Sequence, residues 1–406
     1  MGEVHLEAHR GVARRRGSRA RRGRHLGSAG VTFAHPASGT GDELPRIIRI
    51  REHLAAHPEP SWQEHGTAAY LAELFEAAGL TPQHFADFPG FTVDVGPGEP
   101  VVGLRGDLDA LAHETAAGTV LAHSCGHDAN LAIVAETVLR LHELGGALSH
   151  GVRAIFQPAE EQGNGAASVA ALGVADQLDT LFGVHLRPGS ELPAPRFAPS
   201  ISHGSCCFVR GRIAGADHHG ARPHQGVNAI EVATEFASMI AGLRVDPQVA
   251  SSAKFTELRA GSGNLNVIPG SASFGIDLRA QSNSVMGALR EGVARIARAL
   301  EVRYGVEISL AEEDYVPAAI VGDAAEAQLA AAIREVAGEA ALAPRAVTSG
   351  SDDFHCYTLH RPALQAAMLG VGADVTPGLH DPAMRYDVSR LSPAADVLVA
   401  ACRAAR

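Results

Sequence analysis

Two histidines, a cysteine and an aspartate crowd into the stretch "LAHSCGHDANLA", Leu121–Ala132, as His123, Cys125, His127 and Asp128. Thiolate and imidazole are the donors that zinc and neighbouring borderline divalent ions favour. A thiol flanked by imidazoles is also the arrangement of an activated cysteine nucleophile, with His123 or His127 as its base. Further polar groups close apolar, strand-like runs: Asp107 and Asp109 in "VVGLRGDLDAL", Glu160 and Glu161 in "VRAIFQPAEE", His185 in "TLFGVHLRP", and His380 in "GLHDP". Each alone is commonplace, since a histidine at a strand end is more often a structural hydrogen-bonding group and an acid pair there is usually solvated. Together they exceed the four donors of one tetrahedral ion, which points to a two-metal site. Ligation is therefore the stronger reading of Cys125. Adjacent residues of an extended chain face opposite ways. One of Glu160 and Glu161 could then bind metal while the other takes a proton from water and returns it to a leaving amine.

Such groups converge only if the chain brings its strand ends to one edge. Helical spacing of apolar residues opens the ordered part at "DELPRIIRIREHLAAHPEPSWQEHGTAAYLAELFEAAGL", interrupted at Pro58–Pro60 and closed near Gly79. Strand-like runs ("FTVDVG", "PVVGLRGD", "GVRAIFQ", "TLFGVHLRPG") then alternate with the helix-like "NLAIVAETVLRLHELGG" and "GAASVAALGVADQL". That alternation predicts an α/β, doubly wound, mostly parallel sheet, in which ligands gather at the carboxyl ends of the strands. From about Ser205 the order becomes β-α-β-β-α-β, the pattern of an inserted α+β, ferredoxin-like sandwich, and α/β texture returns near Val316. The expected division is 41–204 with 316–406 as the metal-binding catalytic domain and 205–315 as the insertion.

The chain of 406 residues has a net charge of −11, and residues 1–24 hold eight arginines against Glu3 and Glu7, so the remainder sums to −17. An acidic body argues against nucleic acid, and no apolar run is long enough for a bilayer, so neither nucleic acid nor membrane is an expected partner. Residues 1–40 read as a disordered basic extension. The five cysteines are irregularly spaced in a chain too large to need disulfides, which fits a cytoplasmic location. His53, His57, His65 and His142 fall on helix-like segments and read as surface or packing residues. Asp109 reads as a loop carboxylate capping a helix.

From about residue 42 onward the chain resembles the metal-dependent aminoacylase and carboxypeptidase amidohydrolases. The branch it is most similar to contains hippurate hydrolases, N-acyl-amino-acid amidohydrolases and auxin–amino-acid conjugate hydrolases. The motifs that carry the likeness are "GLRGDLDAL", "HSCGHD", "FQPAEEQGNGA", "GVHLRPG", "HHGARPH", "NVIPG", "SDDF" and "LHDP", in that order. The resemblance implies two divalent ions, zinc first with manganese or cobalt as alternatives, held by Cys125, His127, Glu161, His185 and His380. It implies Glu160 as general base, Asp107 as the group orienting a ligand, and Arg105 standing where other branches place a ligand histidine. The insertion would be a lid and a homodimer contact. Its His219 would approach the scissile carbonyl, with His218 and His224 competing for that role in "GADHHGARPH". Asn266 and Arg279 would hold the substrate carboxylate, with His224 also near the substrate. The implied activity is cleavage of N-acyl amino acids, with dipeptides or N-carbamoyl and ureido amino acids as the alternative substrates on the same site. A non-catalytic binding protein would lack one of these groups, and none is missing.

Overall fold

The computed structural model describes residues 44–115 and 118–405, so the basic extension assigned to residues 1–40 lies outside the described residues. Among the described residues, seven strands form the main sheet in the order Gln83–His84, Phe91–Val95, Gly151–Gln157, Pro100–Asp107, Thr180–Pro188, Gln365–Val375, Phe197–Ala198. The four strands from Gly151–Gln157 to Gln365–Val375 run parallel, and the strands outside them pair antiparallel.

Alternation along these strands shows why both faces are covered. Ala154 and Phe156 enter one core with Phe182 and Leu369, whereas Ile155, Leu181 and Met368 enter a second core on the opposite face. A strand buried on both sides reads as a nearly continuous apolar run, and "TLFGVHL" is buried throughout. The helices His127–Glu143, Asp323–Ala337 and Leu391–Ala404 pack over the first face.

The helix expected across "GAASVAALGVADQL" is shorter than the sequence pattern suggests. It spans Gly165–Ala170 and ends in a turn at Gly173, whose φ of +75° is the left-handed conformation that commonly terminates a helix. A hairpin of Leu111–Thr115 with Gly118–Ala122, which the sequence pattern did not signal, carries the chain from Asp109 to Cys125.

A separate four-stranded antiparallel sheet has the order Ser251–Ala260, Ala272–Ala280, Ser205–Ala214, Glu307–Val316. The helices Ala229–Ala241 and Asn283–Tyr304 cover one of its faces with a core of their own, centred on Phe236, Phe274, Ile276 and Leu289. This is the β-α-β-β-α-β sandwich expected from the sequence.

Candidate metal centre

Because the four central strands are parallel, their carboxyl ends share one edge, and each delivers polar groups there. Asp107 ends its own strand, and Glu160 follows Gln157 after a short turn. His185 lies on Thr180–Pro188, and His380 lies in the loop after Gln365–Val375. Cys125 and His127 flank Gly126, whose φ of +90° sets the start of the long helix His127–Glu143. A side chain is strained in that conformation, so glycine is what lets the loop close tightly enough for both neighbours to face inward. His380 is tied to the same loop by its backbone N–H, which donates to the Ser124 carbonyl at 2.7 Å.

The donor atoms gather in overlapping groups. Cys125, His127 and His185 form one, and Cys125, Glu161 and His380 form another. Within each group the ligand atoms lie within 4.8 Å of one another. Cys125 Sγ is 3.4 Å from His185 Nε2, His380 Nε2 is 3.6 Å from Glu161, and His127 Nε2 is 3.6 Å from Glu160 and 3.9 Å from Glu161.

Both buried imidazoles have a fixed outer nitrogen. His127 Nδ1 faces the Asp109 carbonyl at 2.9 Å and His185 Nδ1 faces the Leu186 carbonyl at 2.6 Å, so each Nδ1 carries the proton and each Nε2 presents a lone pair inward. His127 Nε2 and Glu161 Oε1 are buried without a hydrogen-bond partner among the described residues. Such atoms are costly to leave unmatched. A thiol, three imidazoles and a carboxylate with inward-facing free lone pairs fit divalent cations.

Beneath the donors lies a buried charge network. Arg105 pairs with Asp107 and Asp353, donates from Nε to Gln157 at 3.0 Å, and has Asp352 at 3.5 Å. Asp353 also accepts from Gln157 and from the Ala166 N–H. Glu160, Asp352 and Asp353 are near enough to suggest an additional cation group, but Arg105 already supplies positive charge there. Burial, then the negative Asp352 and Glu161, push the Glu160 carboxyl well above the ordinary carboxylate range. Burial alone would lift Asp109, yet hydrogen bonds from His127 and Ser61 outweigh it and hold Asp109 below its usual value.

On its outer side His127 Nδ1 meets Asp109, at the carbonyl and at Oδ1 at 3.5 Å, while Asp107, expected by resemblance to orient a ligand, pairs with Arg105. Asp109 Oδ2 also accepts from Ser61 at 2.7 Å and from the Glu161 N–H at 3.0 Å. The expectation that Asp109 caps a helix therefore gives way to a carboxylate that braces the donor cluster. The signal was available in "GDLDAL", where two aspartates at spacing two share a side only if the strand stays extended. It ends at Asp107.

A cleft of about 580 Å³ opens over the cluster, lined by Cys125, Glu160, Glu161, His185, His380 and, on the insertion, Arg279. Arg279 is held by Asp277 at 2.7 Å. His219, His224 and Asn266 are exposed and outside the cleft lining. His219 pairs with Val267 on a two-stranded ribbon, and Asn266 immediately precedes that strand, its carbonyl accepting from the Gly220 N–H. Sequence reading passed over Arg187 and His203, both buried in the cleft wall. Arg187 was detectable, because it lies two residues beyond His185 on the same strand face.

Glu64 gives the fold a pH response. Its carboxyl is fully buried, and burial is the largest of the effects that raise its pKa from an ordinary 4.5 to about 7. The folded chain thus holds this proton more tightly than the unfolded chain does. The resulting stabilisation is complete below pH 4.5 and is lost as pH rises through about 7, a change on the order of 3 kcal/mol. Denaturant unfolding at pH 5 and pH 8 should show Glu64→Gln gaining stability relative to the wild type over that interval, by an amount on the order of 3 kcal/mol. Parallel curves for the two proteins would exclude a protonated Glu64.

A parallel sheet whose carboxyl edge gathers ligand-type residues beneath a cleft is the arrangement of a metal-binding enzyme site. Residues 103–404 match the family model described as Peptidase family M20/M25/M40, and the chain belongs to that family, whose members hydrolyse amide bonds. It is 30% identical over 374 residues to a probable hydrolase of Synechocystis sp., covering 85% of this chain and 91% of that protein. It is 27% identical to the N-acetyl-L-cysteine deacetylase of Bacillus subtilis, covering 84% of each. Among solved structures, a putative aminohydrolase of methicillin-resistant Staphylococcus aureus superposes with a TM-score of 0.78 at 25% identity, covering 87% of this chain and 95% of that one. A Bacillus subtilis protein described as a dinuclear metal binding peptidase superposes with a TM-score of 0.72 at 24% identity, covering 88% and 96%.

Proposed function

We propose that the protein hydrolyses the amide bond of N-acyl amino acids. Cys125, His127, Glu161, His185 and His380 would hold two divalent ions, zinc first, and Glu160 would move the proton. The observation that carries this reading is the placement of Glu160. It stands 3.6 Å from His127 within the donor cluster, on a cleft that also holds Arg279.

Bound divalent ions would polarise the scissile carbonyl and make water a stronger acid. Everything else falls to side chains of the chain itself. Glu160, made more basic by burial and by Asp352 and Glu161, accepts a proton as water adds to the carbonyl carbon. It then delivers that proton to the departing nitrogen as the C–N bond breaks, leaving a carboxylic acid and an amino acid. Arg279 is the cation for the substrate carboxylate.

Residues 205–315 act as the lid and as the contact of a homodimer. The open edge of Ser251–Ala260, where Leu258 is exposed, supports pairing. His219, His224 and Asn266 then contact substrate through movement of this unit or through a second copy. The protein works in a reducing cytoplasm, a reading supported by five buried, unpaired cysteines. No partnership with nucleic acid or membrane is proposed. Among the described residues no helix is long and apolar enough to cross a membrane.

The test is release of free amino acid from a panel of N-acetyl and N-benzoyl amino acids, dipeptides and N-carbamoyl amino acids, with elemental analysis of the purified protein. The expected result is about two divalent ions per chain and fastest turnover of an N-acyl amino acid. Fastest turnover of dipeptides or N-carbamoyl compounds would replace the substrate class. Absence of both metal and turnover would return the chain to a binding role.

A further inference from the structure

Glu160 is presented by an unusual piece of backbone. After the strand Gly151–Gln157 the chain passes through Ala159 with φ +54° and ψ +43°, then through a 3₁₀ turn at Glu160–Gln162. A left-handed alanine costs roughly 1–2 kcal/mol and persists only where its surroundings enforce it. Here the enforcement comes from two buried carboxylates. Glu64 Oε1 accepts the Ala159 N–H at 2.7 Å, and Asp109 Oδ2 accepts the Glu161 N–H at 3.0 Å. The N–H groups on either side of Glu160 are thus each gripped from beneath. The Glu160 carbonyl accepts from Gly163 at 2.7 Å and the Ala159 carbonyl from Gly165 at 3.3 Å, completing the turn.

Glu64 itself is rigidly placed. It precedes the helix His65–Ala77, whose first turn is capped by Glu59, accepting from the Gly66 and Thr67 N–H groups. The same segment docks on the neighbouring strand end through Ser61 to Asp109 and through Ala110 N–H to the Glu59 carbonyl at 2.8 Å. Glu64 is fully buried and lies outside the cleft lining, so it touches neither donor cluster nor substrate space. Its other oxygen has no hydrogen-bond partner among the described residues, and the bond to Ala159 N–H is the one that reaches the turn carrying Glu160.

We propose that Glu64 is a positioning residue for the catalytic step, fixing through the Ala159 N–H the left-handed turn that aims Glu160 at the reacting water. This rests on Glu160 being the base. A misplacement of about 1 Å costs on the order of 100-fold in rate, and Glu161, braced separately by Asp109, should keep its ion.

The experiment compares Glu64→Ala, Glu64→Gln and Glu64→Asp with the wild type, as purified metal-loaded proteins, on the N-acyl amino acid cleaved fastest in the panel above. Glu64→Ala should lower kcat by roughly 10- to 100-fold, with KM within about threefold and metal content unchanged. Glu64→Gln keeps an acceptor at the same reach and should retain kcat within about threefold. Glu64→Asp keeps a carboxyl group but falls short of Ala159, so it should resemble Glu64→Ala and serves if the alanine variant does not fold. Wild-type kcat in Glu64→Ala or Glu64→Asp overturns the proposal, as does a fall in kcat that only tracks lost metal. Glu160→Gln run alongside separates the two readings. If it is dead while Glu64→Ala is normal, only the positioning role fails. If it turns over normally, the assignment of Glu160 fails with it.

Discussion

Glu160→Gln is expected to bind metal and substrate as the wild type does and to lose about 10³-fold in kcat, within the range that one positioned acid–base group contributes. The amide nearly preserves shape and can still accept a hydrogen bond, but it cannot hold the proton between attack of water and departure of nitrogen. KM should stay within a few-fold, because Glu160 is not among the five proposed ligands. Steady-state kinetics with elemental analysis gives both readouts. Near-normal turnover would require another base, and Asp352 on the same cleft wall is the next carboxylate in line. Glu161 is proposed as a ligand, so Glu161→Gln should instead reduce metal content.

Cys125→Ala is expected to empty the centre. Cys125 is the one residue common to the two donor groups that include His185 and His380, so its loss weakens both at once. Changes to groups that merely orient ligands already cost 10- to 100-fold in metal affinity, and loss of a shared donor should exceed about 100-fold. The same variant decides between the two chemistries that a cysteine between histidines allows. A nucleophile mutant would keep its metal and lose activity, whereas a ligand mutant loses both. Burial of the thiol, followed by the charge of Glu161, pushes Cys125 well above the usual thiol range. Without a cation beside it this sulfur is therefore a poor thiolate and a poor nucleophile. Metal titration of the purified variant is the check.

The elements that could be read in advance were those with a strong period. "TLFGVHL" and "VRAIFQ" announced buried strands, and the two helices of the insertion showed their apolar stripes, so the two sheets and the succession of elements along the chain followed from sequence, though not the strand order within each sheet. Residues at strand ends were legible for the same reason, since a parallel sheet sends them to one edge. What escaped was whatever depended on a turn. Asp109 lies past the end of its strand, where alternation no longer says which way a side chain faces. Glu64 meets Ala159 across 95 residues through a backbone N–H, and a backbone donor leaves no mark in a sequence. His219 lies on a ribbon of two-residue strands and Asn266 just before its second strand, a span too short to carry a period.

The bond from His380 N–H to the Ser124 carbonyl also bears on how the molecule is made. It joins a loop near the middle of the first half of the chain to one close to its carboxyl terminus, so the complete set of donors cannot exist until the final strand has docked. Contacts of such long sequence separation form slowly. Metal uptake should therefore be among the last events of refolding, and a cobalt absorption signal would report arrival of the closing segment rather than collapse of the first βα units.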